Sequence, residues 1–103
     1  MLITTTEKIN GRECEPLGIV RCSTVQTVNA IRDIGAGLKT LVGGELTKYN
    51  EMMDNARRIA TERMMADAQA VGADAVVGVR YTTSSIMQGA AEVLAYGTAV
   101  RFL

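Results

Sequence analysis

The stretch TKYNEMMDNARRIATERMMADAQAVGADAVVGVR, Thr47 to Arg80, decides the fold: its pattern is a long helix that stops at a glycine and turns directly into a strand. Gly43 and Gly44 interrupt the segment before it. Thr47 suits an N-cap, because a threonine hydroxyl accepts a hydrogen bond from an otherwise unpaired first-turn N–H. Residues 48–71 contain neither Gly nor Pro and are rich in Ala, Met, Arg, Glu and Gln, all good helix formers. Gly72 stands where a left-handed C-cap is expected, a conformation that glycine adopts without strain. A helix over about 47–71 is on the order of 35 Å long, more than a small domain needs.

Its apolar surface is also wide. At about 100° per residue, Tyr49, Met53, Ala56, Ala60, Met64 and Val71 form one ridge, and Met52, Ile59, Ala66 and Ala70 a second, roughly 90° away. Arg63 and Asp67, four residues apart, fall between them as a potential ion pair. One ridge covers a sheet of the same chain. The second either widens that face or packs on a neighbouring subunit, and the subunit contact is the reading adopted, since so short a chain has little else to offer it.

The length of 103 residues allows one domain. Apolar residues make up 48%, but with no Trp and one Phe the core is built of small side chains. Such domains gain stability by oligomerising. Eleven basic and eleven acidic residues cancel, with no basic cluster, which argues against nucleic acid and anionic membrane surfaces as partners. No apolar run is long enough to span a bilayer, and no secretory leader pattern opens the chain. The expected compartment is the cytoplasm, where both cysteines are reduced thiols.

Leu2 to Thr6 reads as a short strand, and Asn10-Gly11 as the turn of a hairpin that pairs it with the next extended segment. Leu17 to Val25 is the second strand, with Pro16 at its start or in an edge bulge. Between Gln26 and Val42, Val28, Ile31, Leu38, Leu41 and Val42 suggest short helical turns broken at Gly35 and Gly37. Ala75 to Tyr81 is apolar on both faces, as in a strand covered on both sides. After a turn at Gln88-Gly89, Ala91 to Leu103 alternates, with Leu94, Tyr96, Thr98, Val100 and Phe102 on one face. Val93, Ala95, Gly97 and Ala99 form the other, also apolar. One helix covers only one face, a second argument for an oligomer.

The chain has no histidine, which removes the usual general base, the commonest zinc ligand and any Ser-His or Cys-His pair. Nothing singles out a catalytic residue; only a pocket combining Arg63, Asp67 or Tyr96 with a strongly perturbed carboxylate would point to an enzyme. Cys14 and Cys22 are the only thiols. In one straight strand they stand about 26 Å apart at ~3.3 Å per residue, too far for a disulfide, and too far to share a metal within one chain unless Pro16 folds the segment back. In a ring, Cys14 of one subunit could approach Cys22 of another as ligands of a soft metal ion. The plainer reading makes Cys22 a small core residue and Cys14 a strand-edge residue. Met52, Met53, Met64 and Met65 fall at helical spacing, as core filler does, and Met87 beside a turn is unexplained. The Gly35-Ala36-Gly37 and Gly43-Gly44 pairs lack the spacing of a phosphate loop and read as turns. Arg32-Asp33, Arg57-Arg58 and Glu13/Glu15 read as solvated charges.

Several of these segments together resemble a known family. MLITTT (1–6), LGIV (17–20), NAIRD (29–33), VGG (42–44), Tyr49, Ala56-Arg57, GADAVVGV (72–79) and GTAV (97–100) are similar, in order and spacing, to the YbjQ family of small bacterial and archaeal proteins proposed to bind heavy metals. The resemblance spans the whole chain. It implies an α+β subunit, a two-layer arrangement of an antiparallel sheet backed by one long helix, and a ring-like homopentamer. It supplies no catalytic residues. Family members often carry acidic residues after GADAVVGV, where this chain has Arg80, Tyr81, Thr82 and Thr83, and an aromatic residue before LGIV, where it has Pro16. If those acidic positions serve a cation site, this chain has lost it.

The expectation is therefore a single domain over residues 1–103. It forms a non-enzymatic cytoplasmic homo-oligomer, a pentamer, that binds a heavy metal ion or small ligand at subunit contacts. Cys14 and Cys22 are its only good soft-metal ligands, and neither nucleic acid nor membrane is a partner. The alternative is a structural or partner-binding ring with no bound metal.

Overall fold

The structure, a computed structural model, describes residues 1–27, 44–87 and 89–103. In chain order it contains β1 (Leu2–Ile3), β2 (Cys14–Thr27), α1 (Gly44–Ala70), β3 (Ala75–Met87) and β4 (Ala90–Phe102). The α+β class with one helix on a sheet is as the sequence implies. The helical turns expected between Val28 and Val42, with Gly35, Gly37, Gly43 and Arg32-Asp33, lie outside the described residues, as does Gln88.

Helix α1 begins three residues before the expected cap, so Thr47 lies inside its first turns. Glu45 and Leu46 are good helix formers, and glycine is accepted at a helix start, so the helix propagates back to Gly44. Its other end closes as predicted. Gly72 has φ +81°, the Ala73 N–H donates to the Ala68 carbonyl at 3.0 Å, and the Gly72 N–H donates to the Gln69 carbonyl at 3.0 Å. This pair of bonds satisfies carbonyls that would otherwise be orphaned and releases the chain straight into β3.

The buried line along α1 is Met52, Ala56, Ala60, Met64 and Ala68, every fourth residue. Rows at this spacing run obliquely to a helix axis, so the line draws members from both ridges read in the sequence. Met52, assigned to the outer ridge, is buried, whereas Val71, assigned to the inner one, is 56% exposed. Ala66 and Ala70 are exposed and Ile59 is half-buried. Arg63 and Asp67 are both exposed, and no ion pair joins them; the helix instead carries Arg57–Asp54 (2.7 Å) and Arg58–Glu62 (3.1 Å) on its solvent side.

The sheet runs β1-β3-β4-β2. It is mixed, not wholly antiparallel, because β1 pairs with β3 in parallel while β3/β4 and β4/β2 are antiparallel. The expected hairpin between β1 and β2 does not form. Its turn does: the Arg12 N–H donates to the Ile9 carbonyl at 3.2 Å, and Gly11 takes φ +76°. The doubly apolar strands β3 and β4 take the centre of the sheet, and β1 and β2 are left to opposite edges. Pro16 is consistent with that edge position, at a bulge that shifts the β2 register between Pro16 and Gly18.

On the helix side, Val20, Val76, Val79, Val93, Ala95 and Ala99 pack with Ala56, Ala60, Met64 and Ala68. On the other side, a smaller cluster joins Ala75, Val77 and Val100 to Ile9, Cys14 and Phe102. Both faces of β4 are thus apolar, but only the Val100–Phe102 end of the second face is covered by the described residues. Tyr96 is 38% exposed on that face, and across it Ile19 is 78% exposed.

Gly97 lies where β3 leaves no room for a side chain on β4. A Cβ there would stand 2.8 Å from Val76 Cγ1 and 2.9 Å from the Val77 carbonyl oxygen. Because backbone cannot yield as a side chain does, Gly97→Ala is expected to destabilise the fold by about 1–3 kcal/mol. Gly72→Ala, forced into a left-handed conformation, should cost about 1–2 kcal/mol. Urea unfolding at one fixed protein concentration measures both, and a Gly97→Ala protein as stable as the parent would contradict the packing described.

Candidate functional site

The two thiols do not meet. Cys14 pairs with Phe102 and Cys22 with Ala95, so seven residues of β4, about 23 Å at ~3.3 Å each, separate them. They also occupy opposite faces. The bulge at Pro16 inserts one residue and reverses the alternation, so Cys14 joins the Val77/Val100 cluster while Cys22 packs under the helix. Both are free and half-buried. Among the described residues, no group of three or more Cys, Asp or Glu side chains is placed to hold a metal ion. Within one chain, the described residues therefore bring no such donor set together. Met52 and Met64 are core filler, as their spacing suggests, while Met87 is 66% exposed near the end of β3.

Nor do Arg63, Asp67 and Tyr96 share a pocket. The arginine and aspartate are on α1, whereas Tyr96 alternates with the helix-facing Ala95 and so lies across the sheet.

The chemistry-bearing residues that do converge are ones the sequence did not single out as a site. On the sheet face away from α1, a hollow of ≈ 470 Å³ is lined by Glu7, Cys14, Pro16, Val77, Gly78, Arg80, Thr98 and Val100. A neighbouring hollow of ≈ 580 Å³, formed by residues 7–14 and Leu103, shares Glu7 and Cys14 with it. The first is built on a bulge. From Val77 to Arg80 strand β3 advances three residues while β4 advances two, from Thr98 to Tyr96. Gly78 supplies the φ of +63° that this bulge requires. The segment after β1 continues beside the bulge, with the Gly78 N–H donating to the Thr6 carbonyl at 2.9 Å and the Val79 N–H to the Thr4 carbonyl at 3.0 Å.

Arg80 is fixed by this arrangement. Its Nη1 donates to the Thr5 carbonyl at 3.0 Å and to the Val79 carbonyl at 2.9 Å. Glu7 lines the same hollow, yet no ion pair joins it to Arg80. Nearby, the Arg12 guanidinium is occupied over the Phe102 ring, 4.1 Å from its centroid, and Arg101 is paired with Glu15 at 2.8 Å. The sequence signal for Arg80 was the glycine two residues before it, since glycine inside a strand marks a bulge that re-aims its neighbours.

A family model described as "Putative heavy-metal-binding", that of the YbjQ family, matches residues 1–103. The chain belongs to the YbjQ family. Among its relatives, a UPF0145 protein of Clostridium novyi is 55% identical over 103 residues, covering the whole of both chains. A UPF0145 protein of Thermotoga maritima is 56% identical over 102 residues, covering 98% of this chain and 96% of the relative. The fold also matches a solved structure from Pediococcus pentosaceus, titled as a protein of unknown function in the DUF74 family. That match has a TM-score of 0.68 and 19% identity, over 100% of this chain and 98% of the other. No helix among the described residues is long and apolar enough to cross a membrane.

The separation of the thiols has a direct consequence under oxidation. Mild oxidation of the intact protein should give disulfides only between chains, seen as cross-linked species on a non-reducing gel. A monomer that has lost two thiol hydrogens by intact mass would contradict the placement of Cys14 and Cys22.

Proposed function

We propose that this protein is a non-enzymatic cytoplasmic homo-oligomer, a pentameric ring, that binds a small ligand or soft metal ion at or near its subunit contacts. The observation that carries the oligomer is the state of strand β3. From Arg80 to Met87 every residue is exposed, and β1 with the segment after it accompanies this strand only as far as Val79. A strand edge of this length with no Lys and no Pro invites pairing with another chain. The same surfaces carry Ile86 at 50% and Met87 at 66% exposure, with Ile19 and Val25 on β2. The pentamer is what the family resemblance implies, and a heterologous contact closing into a ring satisfies an edge at each end of the sheet.

A soft metal, if bound, requires thiolates from more than one subunit, because Cys14 and Cys22 of one chain lie on opposite sheet faces. The second reading is a structural or partner-binding ring with no bound metal, whose assembly would survive chelators.

Native mass spectrometry on untagged protein purified without chelator separates these readings. The expected species is a pentamer of about 55 kDa, five times the 11.0 kDa subunit. Retained mass in whole multiples per subunit supports ligand binding. Metal affinity undiminished in the Cys14→Ser/Cys22→Ser protein removes the thiolate version. A monomer refutes the ring.

A further inference from the structure

We propose that the hollow on the open sheet face binds a small zwitterion of the α-amino acid class, with Arg80 receiving its carboxylate and Glu7 its ammonium group. The proposal starts from an unusual juxtaposition. A cation and an anion line one hollow of ≈ 470 Å³, and they do not pair with each other. Both hydrogens of the Arg80 Nη1 are committed, to the Thr5 and Val79 carbonyls. The two carbonyls fix the plane of the guanidinium and leave its Nε–H and Nη2–H donors without a partner among the described residues. Those donors form the edge that accepts a carboxylate through two parallel hydrogen bonds. A guanidinium already immobilised by the fold loses little further freedom when a ligand docks.

The charge pattern selects the class of ligand. A simple anion would satisfy Arg80 but meet the Glu7 carboxylate, and a simple cation would meet Arg80. A molecule with both groups on a short spacer satisfies each. The remainder of the wall is apolar or weakly polar: Val77 and Val100 are 7% and 3% exposed, and Thr98 adds a hydroxyl. That lining suits an aliphatic side chain. The volume falls in the range of about 300–1,000 Å³ usual for small-molecule sites. Gly78 keeps its φ of +63° as part of the bulge that sets Arg80 in place, so the site depends on a backbone feature built into β3.

This inference deepens the small-ligand half of the function proposed above, but it uses residues of one chain. A failure of the ring in mass spectrometry and a failure of this titration are therefore separate results.

The test is a calorimetric and amide-NMR titration of the full chain with three probes sharing one hydrocarbon skeleton: L-leucine, 4-methylpentanoate and 3-methylbutylamine. L-leucine is expected to bind and to shift the amide signals of Gly78 and Arg80. Each probe lacking one charge is expected to bind at least about tenfold more weakly, the loss of one charge-assisted hydrogen-bonding group. Glu7→Gln, at an exposed residue, should weaken L-leucine about tenfold and remove its advantage over 4-methylpentanoate. Arg80→Lys, which keeps the charge and loses the fork, should weaken both carboxylates. No heat and no shift with L-leucine at millimolar concentration overturns the site, and so does 4-methylpentanoate binding the parent protein as tightly as L-leucine. If Arg80→Lys does not fold, the Glu7→Gln protein and the probe series still decide the matter.

Discussion

The contact on which the rest of the structure depends is a row of small residues on α1 against a strand of small residues. Ala56, Ala60 and Ala68, with Met64 among them, lie on Val93, Ala95 and Ala99 of β4, where Gly97 leaves no room for a side chain. Small side chains bring helix and sheet close together, at the cost of burying less apolar area per residue than leucine or phenylalanine would. A core of this kind tolerates little change in volume, because close-packed interiors leave few voids to absorb it. It also fixes where the helix lies. Rows at four-residue spacing cross the sheet obliquely, which sets α1 chiefly over β2 and β4 and leaves the far half of β3 uncovered.

What the helix leaves open is what the protein has available for other molecules. Strands of 13 and 14 residues extend over 40 Å at ~3.3 Å each, far longer than a sheet in a small domain requires. One end of the face opposite α1 is sealed by Ile9, Cys14 and Phe102. There the bulge at Gly78 turns Arg80 toward the Thr4–Thr6 segment and creates a hollow with fixed charge. Beyond it, residues 80–87 present strand edge and side chains to solvent. The structure thus divides its open surface into a concave end suited to a small ligand and a long edge suited to another strand.

Much of this was legible in the sequence, for physical reasons that apply residue by residue. The Gly72 stop was readable because a left-handed closure favours glycine, and the doubly apolar patterns of Ala75–Tyr81 and Ala91–Leu103 were readable as strands, though the described residues cover their second face only at one end. The pairing of β1 was not readable. A turn at Asn10-Gly11 fixes a local reversal, but whether the strands beside it pair depends on which strands win the sheet centre, a competition among distant segments. The oblique buried row was missed because a 100° wheel treats a helix as packing along its axis, which placed Met52 and Val71 on the wrong ridges. The candidate hollow was invisible for a similar reason: Glu7, Cys14, Arg80 and Thr98 come from four segments, and a bulge in each of two strands sets the side to which two of them point. The same bulge at Pro16 separates Cys14 from Cys22 by face as well as by distance.

The central claim is that one helix completes only part of this sheet and that the far half of β3 is completed by another copy of the chain. Residue-resolved hydrogen exchange at Arg80–Met87, followed across a dilution series, tests it most directly. The account predicts that the amides pointing away from β4 are protected at high protein concentration and lose that protection on dilution, in step with dissociation. Exchange of those amides at unprotected rates at every concentration, or protection that dilution leaves unchanged, would contradict it.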